Sequence, residues 1–264
     1  MSVTETMPGM QESVEAFVAP ASFGQERFWL MDRMDPGKAA WSVPVILRLR
    51  GALKVQALEA AFDELAQRHE SLRTVLQWME EGLSQVILPH GQLPLHLTAL
   101  DDLPAEEREP EARRRLAKEL ARPFNLESGP LARARLYRLA DDHHLLLLNL
   151  HHAVTDGWST GVLLRELSAL YGAFARGEPS PLPEPELQYA DFAEWQREQM
   201  DVLLGPQLAW WRRSLQGAPA LLELPTDRPR PPLHDGRGAT ETFRLPAEVA
   251  SGVHALARTH GSTP

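Results

Sequence analysis

Cysteine is absent from the chain, which excludes a disulfide framework, a cysteine-ligated zinc site and a thiol nucleophile. The absence fits a cytoplasmic protein, since disulfides are rare where thiols are kept reduced. No apolar run approaches the ~20 residues that a membrane-spanning helix needs. Residues 1–17 also lack the cationic start and apolar centre of a signal peptide. Positive charge is scarce: 27 Lys and Arg face 36 Asp and Glu, for a net charge of −9. With no extended Lys/Arg tract, that balance argues against nucleic acid as the main partner. No internal repeat is visible at any useful period. What remains is a 264-residue chain with 43% apolar residues, enough for one large α/β domain or one domain and part of another.

One stretch organises the rest: Asn149-Leu150-His151-His152-Ala153-Val154-Thr155-Asp156-Gly157-Trp158-Ser159. The four leucines just before it, 145–148, have the length and character of a strand buried on both faces. Just after it, Leu163, Leu167, Leu170 and Phe174 recur at helical spacing. The two histidines therefore sit where a central strand hands over to a helix. Gly157 beside them lets the backbone turn sharply or approach a ligand. Titratable groups at the end of a greasy strand are out of place as packing, and that misfit is the functional signal.

Along the chain, residues 1–20 read as a flexible leader, with structure expected from Ser22, the cap of a short helix. Residues 43–50 alternate as a strand. Leu58, Ala61, Phe62, Leu65, His69 and Leu72 form one helical stripe. Strands are expected at 75–79 and 85–88, a helix at 105–121, and a hairpin of 131–139 with 143–150 turning at Asp141-Asp142. A proline-rich crossing at 177–185 leads to an aromatic-rich helix at 189–211 and a rigid connector at 225–232. A strand at 240–245 and a helix at 247–258 follow, after which no strand completes the unit. The expected organisation is an N-terminal subdomain at 21–176, then a crossing segment and truncated second subdomain at 177–264.

Neighbouring strand residues point to opposite faces, so His151 and His152 cannot both address one pocket from regular strand geometry. One should face a site and the other should pack inward. Asp156 has a plain structural reading, capping the helix that starts near Trp158. A metal pair of His152 and Asp156 would need both on one helix, which Gly157 and the preceding strand disfavour, and no third ligand is evident. A Ser-His-Asp hydrolase would need a Gly-x-Ser-x-Gly nucleophile elbow, which is taken to be missing. Acid–base or positional catalysis by one histidine fits best.

His151-His152-Ala153-Val154-Thr155-Asp156-Gly157 resembles the signature of condensation domains of nonribosomal peptide synthetases. His-x-x-x-Asp alone is shared by a wider superfamily resembling chloramphenicol acetyltransferase. Other stretches narrow the likeness: Ser22-Phe23-Gly24-Gln25-Glu26-Arg27-Phe28-Trp29 is similar to the family's first motif, and Arg68-His69-Glu70-Ser71-Leu72-Arg73-Thr74 to its second. Tyr189-Ala190-Asp191-Phe192-Ala193-Glu194-Trp195 is similar to the fourth, and Leu224-Pro225-Thr226-Asp227-Arg228-Pro229-Arg230 to the crossing segment. The resemblance implies an α/β, chloramphenicol acetyltransferase-like two-layer sandwich that joins two carrier-tethered acyl groups by an amide bond. It implies His152 as base or orienting group, and Gly157 as space for the thioester with an N–H for the oxyanion. It also implies that Asp156 pairs with an arginine, for which Arg73 is the candidate within this chain and an arginine outside it the alternative. No cofactor is expected to bind directly. Phosphopantetheine arms of upstream and downstream carrier proteins would deliver the substrates, next to an adenylation domain of the same assembly line. Arg113-Arg114-Arg115 and Arg212-Arg213 are candidate docking patches, against the plainer reading of a solvated helix face. A coenzyme A-dependent acyltransferase, an epimerisation domain and a non-catalytic docking module are the alternatives. A cyclisation domain, whose motif resembles Asp-x-x-x-x-Asp, fits less well.

Overall fold

Four leucines in a row can be buried only if both faces of their strand are covered, and the architecture follows from that need. The computed structural model describes residues 2–3, 16–229, 239 and 241–264. These fall into two units, Met1–Ala218 and Pro219–Pro264. In the first unit come β1 (Ser2–Val3), β2 (Ala16–Pro20), α1 (Phe23–Met34), β3 (Ser42–Arg50) and α2 (Val55–Arg68). A 3-10 turn at Glu70–Arg73 leads into β4 (Thr74–Met79), β5 (Gly82–Ile87), β6 (Leu95–Ala99) and α3 (Ala105–Leu120). Then follow β7 (Ala132–Ala140), β8 (His143–His151), α4 (Gly157–Ala175) and α5 (Tyr189–Ser214). The second unit holds α6 (Ala247–Thr259).

The larger-core sheet has the order β3-β8-β7-β6, so the leucine strand is interior, antiparallel to both neighbours. Its side chains alternate as the pleat requires. Leu146, Leu148 and Leu150 join Phe62 and Leu65 of α2 and Leu163, Leu167 and Leu170 of α4 in one core. Leu145 and Leu147 join Ala112 and Leu116 of α3 on the other face. The second sheet has the order β1-β2-β5-β4. A third cluster, including Ala21, Leu76, Phe124, Leu131, Ala153 and Val154, ties that sheet to the end of β8.

The helix at 55–68 and the hairpin across Asp141-Asp142 form as their periodicity requires. Ser22 caps α1, with reciprocal bonds between Ser22 and Gln25. Two expectations fail and one strand is new. Ala16–Pro20, assigned to the leader, is a strand paired with β5 in register Phe17↔Ile87 to Pro20↔Ser84. Five residues ending in proline carry too little alternation to announce a strand, and it is pairing that orders them. Strand β6, parallel to β7, was not anticipated, because its Leu-His-Leu-Thr-Ala pattern is mostly exposed. Residues 241–245 form no strand, while Thr240 and residues 230–232 of the expected connector lie outside the described residues.

Candidate functional site

The two histidines part company where β8 ends. His151 is the last strand residue and is 4% exposed; its N–H donates to the Leu131 carbonyl at 2.9 Å. Its ring Nδ1 accepts from the Ala153 N–H at 3.0 Å, which puts the proton of the neutral imidazole on Nε2. Phe28 and Phe124 meet the ring edge-on, with centroids 6.1 and 5.8 Å away. Burial first, and the neighbouring His152 second, push the His151 pKa down to about 4. This histidine stays neutral and structural.

His152 has left the strand. Its N–H donates to the Trp41 carbonyl at 2.8 Å, and its half-buried ring forms part of a cleft wall. The ring stacks on Phe28 at 4.9 Å with an interplanar angle of 22°. One histidine thus faces the cleft and the other the interior, because the chain turns out of the strand between them. The cleft is about 490 Å³ and is lined also by Phe28, His69, Thr155, Asp156, Gln188 and Tyr189.

Asp156 is the N-cap of α4. Its carboxylate accepts from the Ser159 N–H at 2.7 Å and from the Ser159 hydroxyl at 2.6 Å. Those two bonds hold its pKa below the usual carboxylate range, the Ser159 hydroxyl contributing most. The capping reading is therefore the one the chain adopts, and the Arg73 pairing is corrected. The Arg73 guanidinium bonds the Leu88 carbonyl and reaches Glu70 at 3.5 Å. Its stem is pinned by Gly91, where a Cβ would come within 2.5 Å of the Arg73 Cβ. Arg73 is thereby committed to the β5 end, and Asp156 makes no ion pair among the described residues. His152 and Asp156 share no helix either: one precedes α4 and the other caps it.

Gly157 is the first residue of α4, and a Cβ there would meet nothing within 4 Å. At that position its N–H has no intrahelical acceptor. Trp158, the next residue, is 83% exposed. The Gly-x-Ser-x-Gly spacing does occur, at Gly157-Trp158-Ser159-Thr160-Gly161, contrary to the expectation. It is no elbow. Ser159 is helical, its hydroxyl donates to Asp156 rather than to a histidine, and no non-glycine residue has positive φ among the described residues.

The sequence places His69 in an apolar stripe and in the stretch similar to the family's second motif, and assigns it no role in the site. The structure makes it the C-cap of α2 and a wall of the cleft, with Nε2 2.7 Å from the Glu166 carboxylate, which Arg68 also approaches at 3.3 Å. The signal was three titratable residues in succession, Arg68-His69-Glu70, at the end of a buried helix. Arg113 pairs with Glu109, and Arg114 and Arg115 with Glu111, so that triplet is charge-compensated along its own helix.

A two-sheet α/β fold with a histidine at the end of an interior strand, facing a cleft, defines the chloramphenicol acetyltransferase-like class. Solved structures agree. The X-domain from teicoplanin biosynthesis, in complex with OxyB, matches with a TM-score of 0.75 and 30% identity over 99% of this chain and 56% of that one. A four-domain nonribosomal peptide synthetase, holo-AB3403, shares the fold with a TM-score of 0.76 at 21% identity, over 95% of this chain and 19% of that one. The family model for the condensation domain matches residues 15–264, and the chain belongs to that family, the condensation domains of nonribosomal peptide synthetases. Curated relatives include chondramide synthase cmdD of Chondromyces crocatus, 43% identical over 94% of this chain. Phosphinothricin tripeptide synthetase PhsC of Streptomyces viridochromogenes is 43% identical over 93% of it. The chain spans 6% and 23% of the lengths of these two relatives.

Proposed function

We propose that this chain supplies the histidine side of a site that joins a donor acyl thioester to the α-amine of an acceptor aminoacyl thioester, both delivered on phosphopantetheine arms of carrier proteins. The amine nitrogen attacks the thioester carbonyl, the C–N bond forms, the C–S bond breaks, and the amine proton ends on the departing thiol. The observation that carries the reading is the division of labour at the strand end, with His151 sealed in and His152 on the cleft wall.

A free α-amine has a pKa of about 7.7–8.0, so much of it is already neutral near pH 7.5. The harder tasks are holding nitrogen and carbonyl together and taking the proton as the tetrahedral intermediate forms. General acid–base help is worth roughly 10²–10⁴ in rate. Correct positioning is worth about 7–11 kcal/mol. Positioning therefore dominates, with His152 as the hydrogen-bonding group that orients the amine and then accepts its proton. The Gly157 N–H, at a helix N-terminus, is the donor this reading assigns to the oxyanion. Carrier proteins and an adenylation domain are the partners this reading requires. The test is His152→Ala in the complete protein that contains this chain, with both carriers loaded. Condensation should fall by at least about a hundredfold while the melting temperature holds; near-parental rates would overturn the assignment.

A second reading, a module that recruits another enzyme without catalysing, draws support from the 30%-identical X-domain solved with OxyB. It predicts that the same substitution leaves product formation untouched.

A further inference from the structure

A catalytic histidine is ordinarily aimed by a hydrogen bond from its second ring nitrogen to a carboxylate or carbonyl. His152 has no such orienter among the described residues: its only hydrogen bond is made by its backbone N–H, to Trp41. The nearest carboxylate in its motif, on Asp156, is occupied by Ser159. What holds the imidazole is an aromatic face. We propose that Phe28 is the positioning residue of the site, setting the plane of the His152 ring by stacking in place of a hydrogen-bonded orienter.

Phe28 can do this because it is itself held in one orientation. Trp41 packs against it at 5.2 Å and 64°, and the buried His151 ring at 6.1 Å and 86°. These edge-to-face contacts oppose rotation of the phenyl plane. The helix carrying Phe28 is anchored just upstream. Ser22 and Gln25 close its first turn, and the Gln25 amide, 1% exposed, donates to Gln85 on β5 at 3.1 Å. Arg197 of α5 donates to the Ala21 carbonyl at 2.9 Å and pairs with Glu26 at 2.7 Å. Position is thus transmitted from two sheets and a long helix through Phe28 to the imidazole. Stacking also leaves both ring nitrogens uncommitted, so the ring can accept a proton on the nitrogen that faces the amine. A bond to a carboxylate would commit one of them.

This inference rests on the condensation reading, and the test separates the two. In the complete carrier-loaded protein, Phe28→Ala should lower kcat by about 10- to 100-fold, the scale of an ångström-sized misplacement, with KM within about twofold. Phe28→Leu keeps bulk without a flat face and should behave like Phe28→Ala, whereas Phe28→Tyr should restore the parental rate. In the 264-residue chain, the His152 ring protons should show an upfield ring-current shift that disappears in Phe28→Leu and survives in Phe28→Tyr. Full activity of Phe28→Leu, or absence of the ring-current shift in the parent, overturns the proposal. Loss of activity in His152→Ala with full activity in Phe28→Leu would sink the positioning role and leave the condensation reading intact.

Discussion

At the scale of single residues, two adjacent histidines show how far one step along a strand changes chemistry. His151 loses its water and keeps a neutral ring; His152, one residue on, turns toward the cleft. The buried ring has a consequence for stability. Its pKa drops from 6.5 to about 4 on folding. Between those values the unfolded chain binds a proton that the folded chain refuses, so stability rises with pH there and is lost as the pH falls. A shift of this size amounts to about 3 kcal/mol, as an order of magnitude. Denaturation midpoints measured at pH 7.5 and 4.5 should show this loss, and His151→Asn should flatten it. An equal slope in the variant would show that the burden lies elsewhere. The Asn149 amide, fully buried two residues earlier, has no hydrogen-bond partner for its nitrogen or oxygen among the described residues.

At the scale of elements, α4 starts where it does because Asp156 and Ser159 close its first turn. A buried Asp–Arg pair broken on one side would cost roughly 3–5 kcal/mol. An exposed cap is worth about 1 kcal/mol, with a range of roughly 0.5–2. Asp156→Ala should therefore lower stability by the smaller amount in this chain, and Asp156→Asn, which keeps a capping oxygen, should recover most of it in urea titrations. The lowered pKa fixes the sign with pH: the cap's charged contribution is complete above the ordinary carboxylate value and fades as the pH falls through the folded one. A loss of several kcal/mol would instead reveal a partner for Asp156. The strand–turn–helix around the histidines was legible in sequence because Leu145 to Leu148 and the 163–170 stripe differ so plainly in period. The cap was legible as one option of two. The Arg73 partnership was not, because spacing along a chain says nothing about where a long side chain ends; the Leu88 carbonyl and Glu70 hold its guanidinium. Strands β2 and β6 stayed hidden for a related reason, since short segments, whether interior like β2 or at an edge like β6, draw their order from pairing rather than from their own pattern.

At the scale of the whole molecule, the question is what α5 faces. Its N-terminal end is fixed: Gln188 bonds the backbone of Arg68 and Glu70, and Ala190 and Ala193 are buried. Farther along, Trp195, Leu204, Leu208, Trp210 and Trp211 are each between 42 and 53% exposed. Single exposed apolar side chains are ordinary, but a run of them on one helix exceeds what a monomer usually shows to water. The net charge of −9 opposes association through long-range repulsion, yet this weakens within about 10 Å at 0.1 M salt, where apolar contact does not. The isolated 264-residue chain should therefore bind a hydrophobic dye and sediment as concentration-dependent oligomers, increasingly so as salt is raised. Leu208→Glu combined with Trp211→Glu should reduce both signals while leaving the far-ultraviolet circular dichroism of the sheets unchanged. A monomer that ignores the dye at every salt concentration would mean that these side chains are covered by the chain itself.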